Sequence, residues 1–239
     1  MIEVKDLKLH YGDFVALNQL TFSVSPGSIY GLIGPNGAGK TSAIKAIATL
    51  LEPTFGDILV DGISALHQPE RARGVLGYMP DFPPIYEDLK VWEFCDLFAQ
   101  AYGLRGEERQ AKVLQSLHAT GLKEQMHTLC KTLSRGMRQR ALLAKTLVHD
   151  PSVLLLDEPA ANLDPKSRID LRNVLKKLAS NGKTILISSH ILSEIEDTCD
   201  SLGFMRDGGM ALSGTLDEIS RQKDRATQLK IHLLEPYPA

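Results

Sequence analysis

Eight residues near the N-terminus restrict the possible folds of this chain more than any other stretch. They read Gly34-Pro35-Asn36-Gly37-Ala38-Gly39-Lys40-Thr41 and match G-x-x-x-x-G-K-[ST] at every fixed position. Residues 29–33 before them form an apolar segment typical of a buried strand, and residues 42–51 after them have helical apolar spacing. This strand, loop and helix order is the context in which the pattern binds phosphate. It predicts an α/β fold built around a nucleotide-binding loop.

The chemistry of this run follows from its residue types. Glycines let the backbone curl so that successive N–H groups point at phosphate oxygens. The helix that begins near Ser42 adds its unpaired N–H groups and the positive end of its dipole. We expect Lys40 to reach the β- and γ-phosphates and the Thr41 hydroxyl to ligate Mg²⁺. The alternative is a glycine-rich turn with a chance lysine, which the motifs farther along the chain disfavour.

Composition fits one α/β domain and argues against several classes of partner. The chain has 239 residues, of which 43% are hydrophobic, and its net charge of -2 leaves no basic footprint for nucleic acid. Its three cysteines, Cys95, Cys130 and Cys199, are scattered, which favours reduced thiols and no metal site. The N-terminus does not resemble a secretory signal, and no apolar run approaches the roughly 20 residues that span a bilayer. We therefore expect that the protein acts at a membrane only by binding a partner protein.

The first 25 residues predict a half-solvated antiparallel ribbon. Apolar and polar residues alternate in two stretches, and Pro26-Gly27 follows as a turn. Tyr11 lies between the predicted strands, just before Gly12, where an aromatic ring could stack on a nucleotide base. An ordinary tyrosine at a strand end is the alternative, and the pattern alone favours it.

A helical block interrupts the alternation of strands and helices. Its first helix is predicted from Val91, Phe94, Cys95, Phe98, Ala101 and Tyr102, which recur at three- and four-residue spacing. We interpret residues 87–149 as an inserted helical subdomain, and residues 1–86 and 150–239 as the nucleotide-binding core with its β subdomain. The whole chain, 1–239, is then one domain. A hairpin over 203–212, a short helix from Thr215 to Arg221 and weak strand character at 229–234 complete the prediction.

A pair of acids ends the most apolar run of the chain. Residues 153–156 predict a central parallel strand, and Asp157 and Glu158 follow it. Parallel strands present their carboxyl ends at the ligand crevice, beside the phosphate loop. Asp157 is then placed to hold Mg²⁺, and Glu158 to orient and polarise an attacking water. The alternative is an acidic strand end that faces solvent.

Residues 133–140 form a basic run that opens a helix. Ser134 and Gly136 offer a hydroxyl and open backbone N–H groups at the helix N-terminus, which together suit an anion. Because one phosphate loop already binds one nucleotide, this second anion site is best used to close a nucleotide held by another copy of the chain. Taken alone, the run would be interpreted only as a basic helix start.

Together these motifs resemble the ATP-binding subunit of ATP-binding cassette (ABC) transporters. The resemblance covers about residues 2–214 and includes, in family order, Tyr11 of the aromatic loop, Walker A at 34–41, the signature at 133–140, Walker B at 153–158, the D-loop ending in Asp164, and His190. It implies that two cassettes enclose two ATP molecules head to tail. It further implies that Glu158 is the catalytic base and that His190 contacts the γ-phosphate. It also implies that Asp164 transmits conformational changes between the two cassettes of the dimer.

Three residues depart from the family pattern. The signature is usually LSGGQ, but Arg135 and Met137 replace the first of its two glycines and its glutamine. Asp81 occupies the Q-loop position, where its carboxylate can still ligate Mg²⁺ but is shorter than glutamine and adds charge. These changes are similar to those in an exporter-type branch whose membrane subunit is a separate chain.

The leading functional hypothesis is an ATPase that dimerises around ATP and Mg²⁺ and powers a separate membrane permease, with export as the expected direction. The second cassette would be another copy of the chain or a paralogue. We expect the protein to be cytoplasmic and peripheral on the inner face of the cell membrane, with residues 82–103 as its docking surface. The alternative is a soluble cassette ATPase acting on nucleic acid or ribosomes, which the near-neutral charge disfavours. A non-hydrolysing regulatory cassette is disfavoured by the intact Lys40, Asp157, Glu158 and His190.

Overall fold

The computed structural model describes residues 1–81 and 84–219. This part of the chain contains both helices and strands, and two 3₁₀ turns lie at Lys123–Gln125 and Cys130–Thr132. In chain order the elements are β1 (Ile2–Tyr11), β2 (Phe14–Val24), β3 (Ile29–Ile33), α1 (Lys40–Ile47), β4 (Phe55–Val60), β5 (Ile63–Ser64), α2 (Pro69–Val75), β6 (Leu76–Met79), α3 (Val91–Ala101), α4 (Gly106–Ala119), α5 (Arg135–Leu147), β7 (Val153–Leu156), α6 (Pro165–Ser180), β8 (Thr184–Ser189), α7 (Leu192–Ile195), β9 (Ser201–Arg206) and β10 (Gly209–Thr215).

A six-stranded sheet in the order β10-β9-β3-β8-β7-β6 forms the centre of the fold. From β9 to β6 the neighbours are parallel, and only β10 runs antiparallel. The carboxyl ends of β3, β6, β7 and β8 therefore meet at one edge of the sheet, where ligands bind in folds of this kind. The predicted α/β fold with a mainly parallel sheet is confirmed.

The two faces of this sheet belong to two separate hydrophobic cores. In β7, Val153 and Leu155 pack with α1 and the antiparallel sheet, whereas Leu154 and Leu156 pack with α5 and α6. Successive side chains of a strand point to opposite faces, so a sheet covered on both faces needs a continuous apolar run. This explains why β7 and β8 contain no exposed residue.

The second sheet has the order β2-β1-β4-β5 and is antiparallel throughout. It confirms the predicted N-terminal ribbon and adds two strands from residues 55–64. It is fixed to the larger sheet where the Asn18 N–H donates to the Gly208 carbonyl, 2.9 Å away. The loop after β3 lies near this junction, so the phosphate loop has packed backbone behind it.

Helices α3, α4 and α5 form the inserted helical block. Phe94 and Cys95 are fully buried, as the spacing predicts, but Ala101 and Tyr102 are exposed because α3 ends at that point. No helix among residues 1–81 and 84–219 is long and apolar enough to cross a membrane. The boundaries proposed at 87 and 149 stay predictions.

The C-terminal part of the chain contains the predicted hairpin and the start of the predicted short helix. Asp207 and Gly208 form the turn of the β9–β10 hairpin, and both have positive φ angles, 50° and 77°. The final helix begins at residue 216 and continues to 219. The rest of that helix, the weak strand expected at 229–234, and residues 82–83 of the expected docking segment lie outside the described residues.

We expect Gly77→Ala to destabilise the sheet edge that carries Asp81. A Cβ on Gly77 would lie 2.9 Å from the Thr146 carbonyl oxygen and 2.9 Å from the Pro151 ring, so α5 would have to move away from β6. Overpacking of this kind costs about 1–3 kcal/mol of unfolding free energy, which urea denaturation would measure.

Gly74→Ala is the matched control because a Cβ on Gly74 in α2 meets no atom of the described residues within 4 Å. It should be neutral or stabilising by up to about 1 kcal/mol. Equal destabilisation by both substitutions would contradict the packing explanation.

Candidate functional site

The phosphate loop curls tightly between β3 and α1. Gly37 and Gly39 have φ angles of 83° and 100°, which L side chains rarely adopt. A Cβ on Gly39 would lie 2.6 Å from the Ala16 carbonyl oxygen, so the loop can pack against β2 only with glycine there. Ala38 is buried, and its carbonyl accepts a hydrogen bond from the Gly208 N–H at 3.2 Å. The loop is thus held in a cradle shape by its surroundings.

Lys40 turns its ammonium back into this loop. Its side chain is only 6% exposed, and Nζ donates to the carbonyl oxygens of Gly34 at 2.7 Å and Pro35 at 3.2 Å. The carboxylate of Glu158 lies 3.7 Å away. A buried ammonium needs such partners, and a phosphate oxygen could replace them.

A cavity of about 460 Å³ opens over the loop. It collects most of the predicted site residues from four separate parts of the chain, as expected if they serve one ligand. Predicted residues lining it are Asn36, Gly37, Gly39, Lys40, Thr41, Ser42, Asp81, Glu158 and His190. Ala161 and Asn162 of the D-loop also line it, as do Phe14 and Ala16, which the sequence analysis did not select.

Glu158 and His190 form a hydrogen-bonded pair at the rim of the cavity. Nδ1 of His190 lies 2.9 Å from Oε2 of Glu158. The Glu158 side chain is 12% exposed and that of His190 is 41% exposed, so the pair joins the cavity wall to solvent. Glu158 has a φ of 50°, and its N–H donates to Oγ of Ser188 at 2.9 Å. Ser188 therefore helps to hold the strained turn after β7.

Asp157 is buried behind this pair with one oxygen available. Oδ1 accepts a hydrogen bond from Ser188 Oγ at 2.6 Å, whereas Oδ2 has no hydrogen-bond partner among the described residues. An unpartnered buried carboxylate oxygen is costly, and a divalent cation would satisfy it. Thr41 and Asp81 line the cavity over the phosphate loop, and Asp157 directly precedes its lining residue Glu158, so the oxygen donors present fit Mg²⁺.

Tyr78 and Asp81 surround the acids with further titratable groups. Burial, with the charges of Asp157 and Asp81 nearby, raises the pKa of Tyr78 to about 12, so its phenol stays neutral. Burial and the carboxylates of Asp157 and Glu158 also raise the pKa of Asp81, while His190 opposes this shift. An ionised Asp81 is therefore repelled by the neighbouring carboxylates. The neutral glutamine that is usual at this position would not be repelled.

The signature run lines a second cavity of about 470 Å³ beside the first. Leu133, Arg135, Arg138 and Gln139 contribute to it, and it shares Asp81, Glu158, Ala161 and Asn162 with the first cavity. Within the described residues, none of 133–140 lines the cavity over the phosphate loop. The predicted anion-binding residues Ser134 and Gly136 line neither cavity, although their neighbours Leu133 and Arg135 line the second.

Ser134, Gly136 and Asp164 come together where α5 and α6 begin. Ser134 caps α5 by accepting from the Met137 N–H at 3.3 Å, and Asp164 caps α6 by accepting from the Ser167 N–H at 3.0 Å. A Cβ on Gly136 would overlap the Ser167 hydroxyl, which donates to Asp164 at 2.6 Å. The signature and the D-loop thus share one packed junction.

Tyr11 does not line the cavity, whereas its cross-strand partner Phe14 does. Both rings are on the β1–β2 hairpin, and Phe14 is the more exposed at 62%. The base-stacking role of Tyr11 stays a prediction. An exposed aromatic directly after a Gly-Asp turn was the signal that could have indicated Phe14.

A family model described as ABC transporter matches residues 17–161. This is more than half of the chain, and it includes the phosphate loop, the signature run and the Asp157–Glu158 pair. The chain belongs to the ABC transporter family. The predicted family and the identification as an ATP-binding cassette ATPase are confirmed.

Similar proteins agree with this assignment. The probable multidrug ABC transporter ATP-binding protein YbhF of Escherichia coli (strain K12) is 36% identical over 222 residues, which are 93% of this chain and 38% of YbhF. The bacitracin transport ATP-binding protein BcrA of Enterococcus faecalis is 34% identical over 97% of this chain and 74% of BcrA. A solved ATP binding subunit of an ABC transporter is 35% identical, with a TM-score of 0.81 over 94% of this chain and 93% of that one. The chain thus spans well under half of YbhF but nearly all of the solved subunit.

We expect Asp81→Asn to stabilise the protein when nucleotide and metal are absent. A raised pKa means that the folded chain holds a proton on Asp81 more tightly than the unfolded chain, so ionisation at high pH weakens folding. The gain in unfolding free energy should be present at pH 8 and should vanish below about pH 4, where the unfolded carboxyl is also protonated. Urea denaturation at both pH values would measure it.

Asp13→Asn removes the same charge from the exposed β1–β2 turn and should show no such pH-dependent gain. A gain for Asp81→Asn that is equal at both pH values would contradict repulsion as its cause.

Proposed function

We propose that this chain is the ATP-hydrolysing subunit of a transporter, working as a pair of cassettes on a separate membrane permease. The observation that carries the proposal is the cluster of Glu158, His190 and Lys40 over the phosphate loop. Their contacts of 2.9 Å and 3.7 Å bring a base, its positioning partner and a phosphate-binding cation into one cavity. This is the set of groups that hydrolysis of a bound triphosphate requires.

The proposed chemistry uses each group as it is found. Lys40 exchanges the Gly34 and Pro35 carbonyls for phosphate oxygens, because charge-assisted bonds to phosphate are stronger than bonds to neutral carbonyls. That exchange also loosens the hold of Lys40 on Glu158. Glu158 then orients and deprotonates the attacking water, while His190 keeps the carboxylate in place and faces the γ-phosphate. Bound Mg²⁺, held by Thr41 and Asp157, would neutralise the developing charge on the phosphates.

The pairing of cassettes is supported by the position of the signature run, none of whose described residues lines the cavity over the phosphate loop. Ser134 and Gly136 present an anion-binding helix start outside the cavity that holds Lys40. A second cassette, from another copy or a paralogue, would bring its own signature over this phosphate loop. Asp164 lies at the same junction and would take part in the contact between the two chains.

The permease, the export direction and the location at the inner face of the membrane are proposed from the relatives. Two of them are named for multidrug and bacitracin transport. Within the expected docking segment, Phe94 is core, so docking would fall to its exposed apolar side chains. Among the described residues these are Tyr86, Leu97 and Tyr102. The near-neutral charge still favours this proposal over action on nucleic acid.

Glu158→Gln tests the proposal because it removes the base while keeping the shape of the side chain. We expect ATP binding to persist, turnover to fall by about 100-fold or more, and an ATP-bound dimer to accumulate. Phosphate release and size-exclusion chromatography with and without ATP would measure these outcomes.

Two controls sharpen this test. Lys40→Ala should weaken ATP binding itself, so it should neither turn over nor dimerise with ATP. Glu52→Gln changes an exposed acid and should behave like the unchanged protein. Turnover of Glu158→Gln at the unchanged rate, or full activity of a strict monomer, would refute the proposal.

A further inference from the structure

The turn that carries His190 is held by a buried hydroxyl. Ser189 is 1% exposed, and its Oγ accepts the Ile191 N–H at 3.0 Å, which closes the backbone around His190. The same hydroxyl lies 3.0 Å from Oε2 of Glu194, to which it donates. The Ile191 carbonyl at 3.1 Å competes for the hydroxyl proton, but a carboxylate is the stronger acceptor. Glu194 therefore fixes the direction in which Ser189 points.

Glu194 is an unusually buried carboxylate for a residue outside the cavity. Its side chain is 3% exposed, and its other oxygen lies 3.8 Å from Nη2 of Arg168 in α6. A buried carboxylate is tolerated only when it is paired and hydrogen-bonded, so both contacts are needed to keep it there. Glu194 does not line either of the two cavities at the candidate site.

Arg168 extends this chain of contacts to the D-loop. Its Nε donates to the Leu163 carbonyl at 3.2 Å. Leu163 follows Asn162, which has a φ of 58° and lines both cavities. A continuous path of hydrogen bonds and one ion pair thus runs from the D-loop, through Arg168, Glu194 and Ser189, to the turn of His190.

We propose that Glu194 is a positioning residue for hydrolysis, and that its pairing with Arg168 ties the D-loop to His190 within one chain. Glu194 holds the 189–191 turn so that His190 Nδ1 stays within 2.9 Å of Glu158. Any displacement of the D-loop, where the partner cassette is expected to bind, then reaches His190 through Arg168. This inference rests on the proposed function for its catalytic part, but the ordering of the turn does not depend on ATP.

Glu194→Gln is the decisive variant because it keeps the shape and an acceptor for Ser189 but removes the charge that Arg168 faces. The matched control is Arg172→Gln, since Arg172 of α6 pairs with Asp197 at 3.0 Å and, among the described residues, forms no hydrogen bond with the 189–191 turn. We expect Glu194→Gln to lower kcat about tenfold through misplacement of His190. The KM for ATP should stay within about twofold, because no phosphate contact is lost. Arg172→Gln should change neither value.

Two further measurements separate positioning from general destabilisation. Hydrogen–deuterium exchange over residues 188–195, in nucleotide-free protein, should be faster in Glu194→Gln and unchanged in Arg172→Gln. Arg168→Gln should also lower kcat, and the double variant Arg168→Gln/Glu194→Gln should be no worse than the poorer single variant, because both changes break one link.

Equal kcat for Glu194→Gln and Arg172→Gln, additive losses in the double variant, or a rise in KM alone would overturn the proposal. Failure of the proposed function looks different. The unchanged protein would then hydrolyse no ATP, and the exchange experiment alone would decide the inference. Unchanged exchange in Glu194→Gln would overturn it in that case too.

Discussion

The ammonium of Lys40 lies where positive charge is least stable, at the N-terminus of a helix and almost out of water. The backbone N–H groups of α1 already give this end a positive field. Carbonyls of the phosphate loop and the carboxylate of Glu158 offset the charge in the absence of a ligand. The loop conformation brings the Gly34 and Pro35 carbonyls to the Lys40 ammonium, and the turn after β7 brings the Glu158 carboxylate to it. A site arranged in this way is complementary to phosphate before phosphate arrives.

Much of the fold could be predicted because it depends on local pattern. The apolar run at 153–156 has to be buried on both sides, and the two acids after it have to leave the sheet at its ligand edge. The caps at Ser134 and Asp164 could be recognised from residue type and position alone. These features need no information from distant parts of the chain.

What the sequence did not predict depends on contacts between distant segments. Ser188 lies near the end of an apolar strand like many other serines, and only the position of the neighbouring strand shows that it contacts both Asp157 and Glu158. Phe14 lines the cavity because the β1–β2 hairpin lies beside the phosphate loop, which is distant from it in sequence. Periodicity also placed Tyr102 on the buried face of α3, although the helix ends one residue earlier and the ring stacks on His149 at the surface. A pattern gives the face of a helix but not the point at which it stops.

The alternation of β7 between two cores has a consequence for how such a protein can change. Val153 and Leu155 support the helix behind the phosphates, and Leu154 and Leu156 support the helices that carry the signature and the D-loop. A substitution at 153 or 155 therefore disturbs the packing behind the phosphate loop, whereas one at 154 or 156 disturbs the packing beneath the helices that follow the signature and the D-loop.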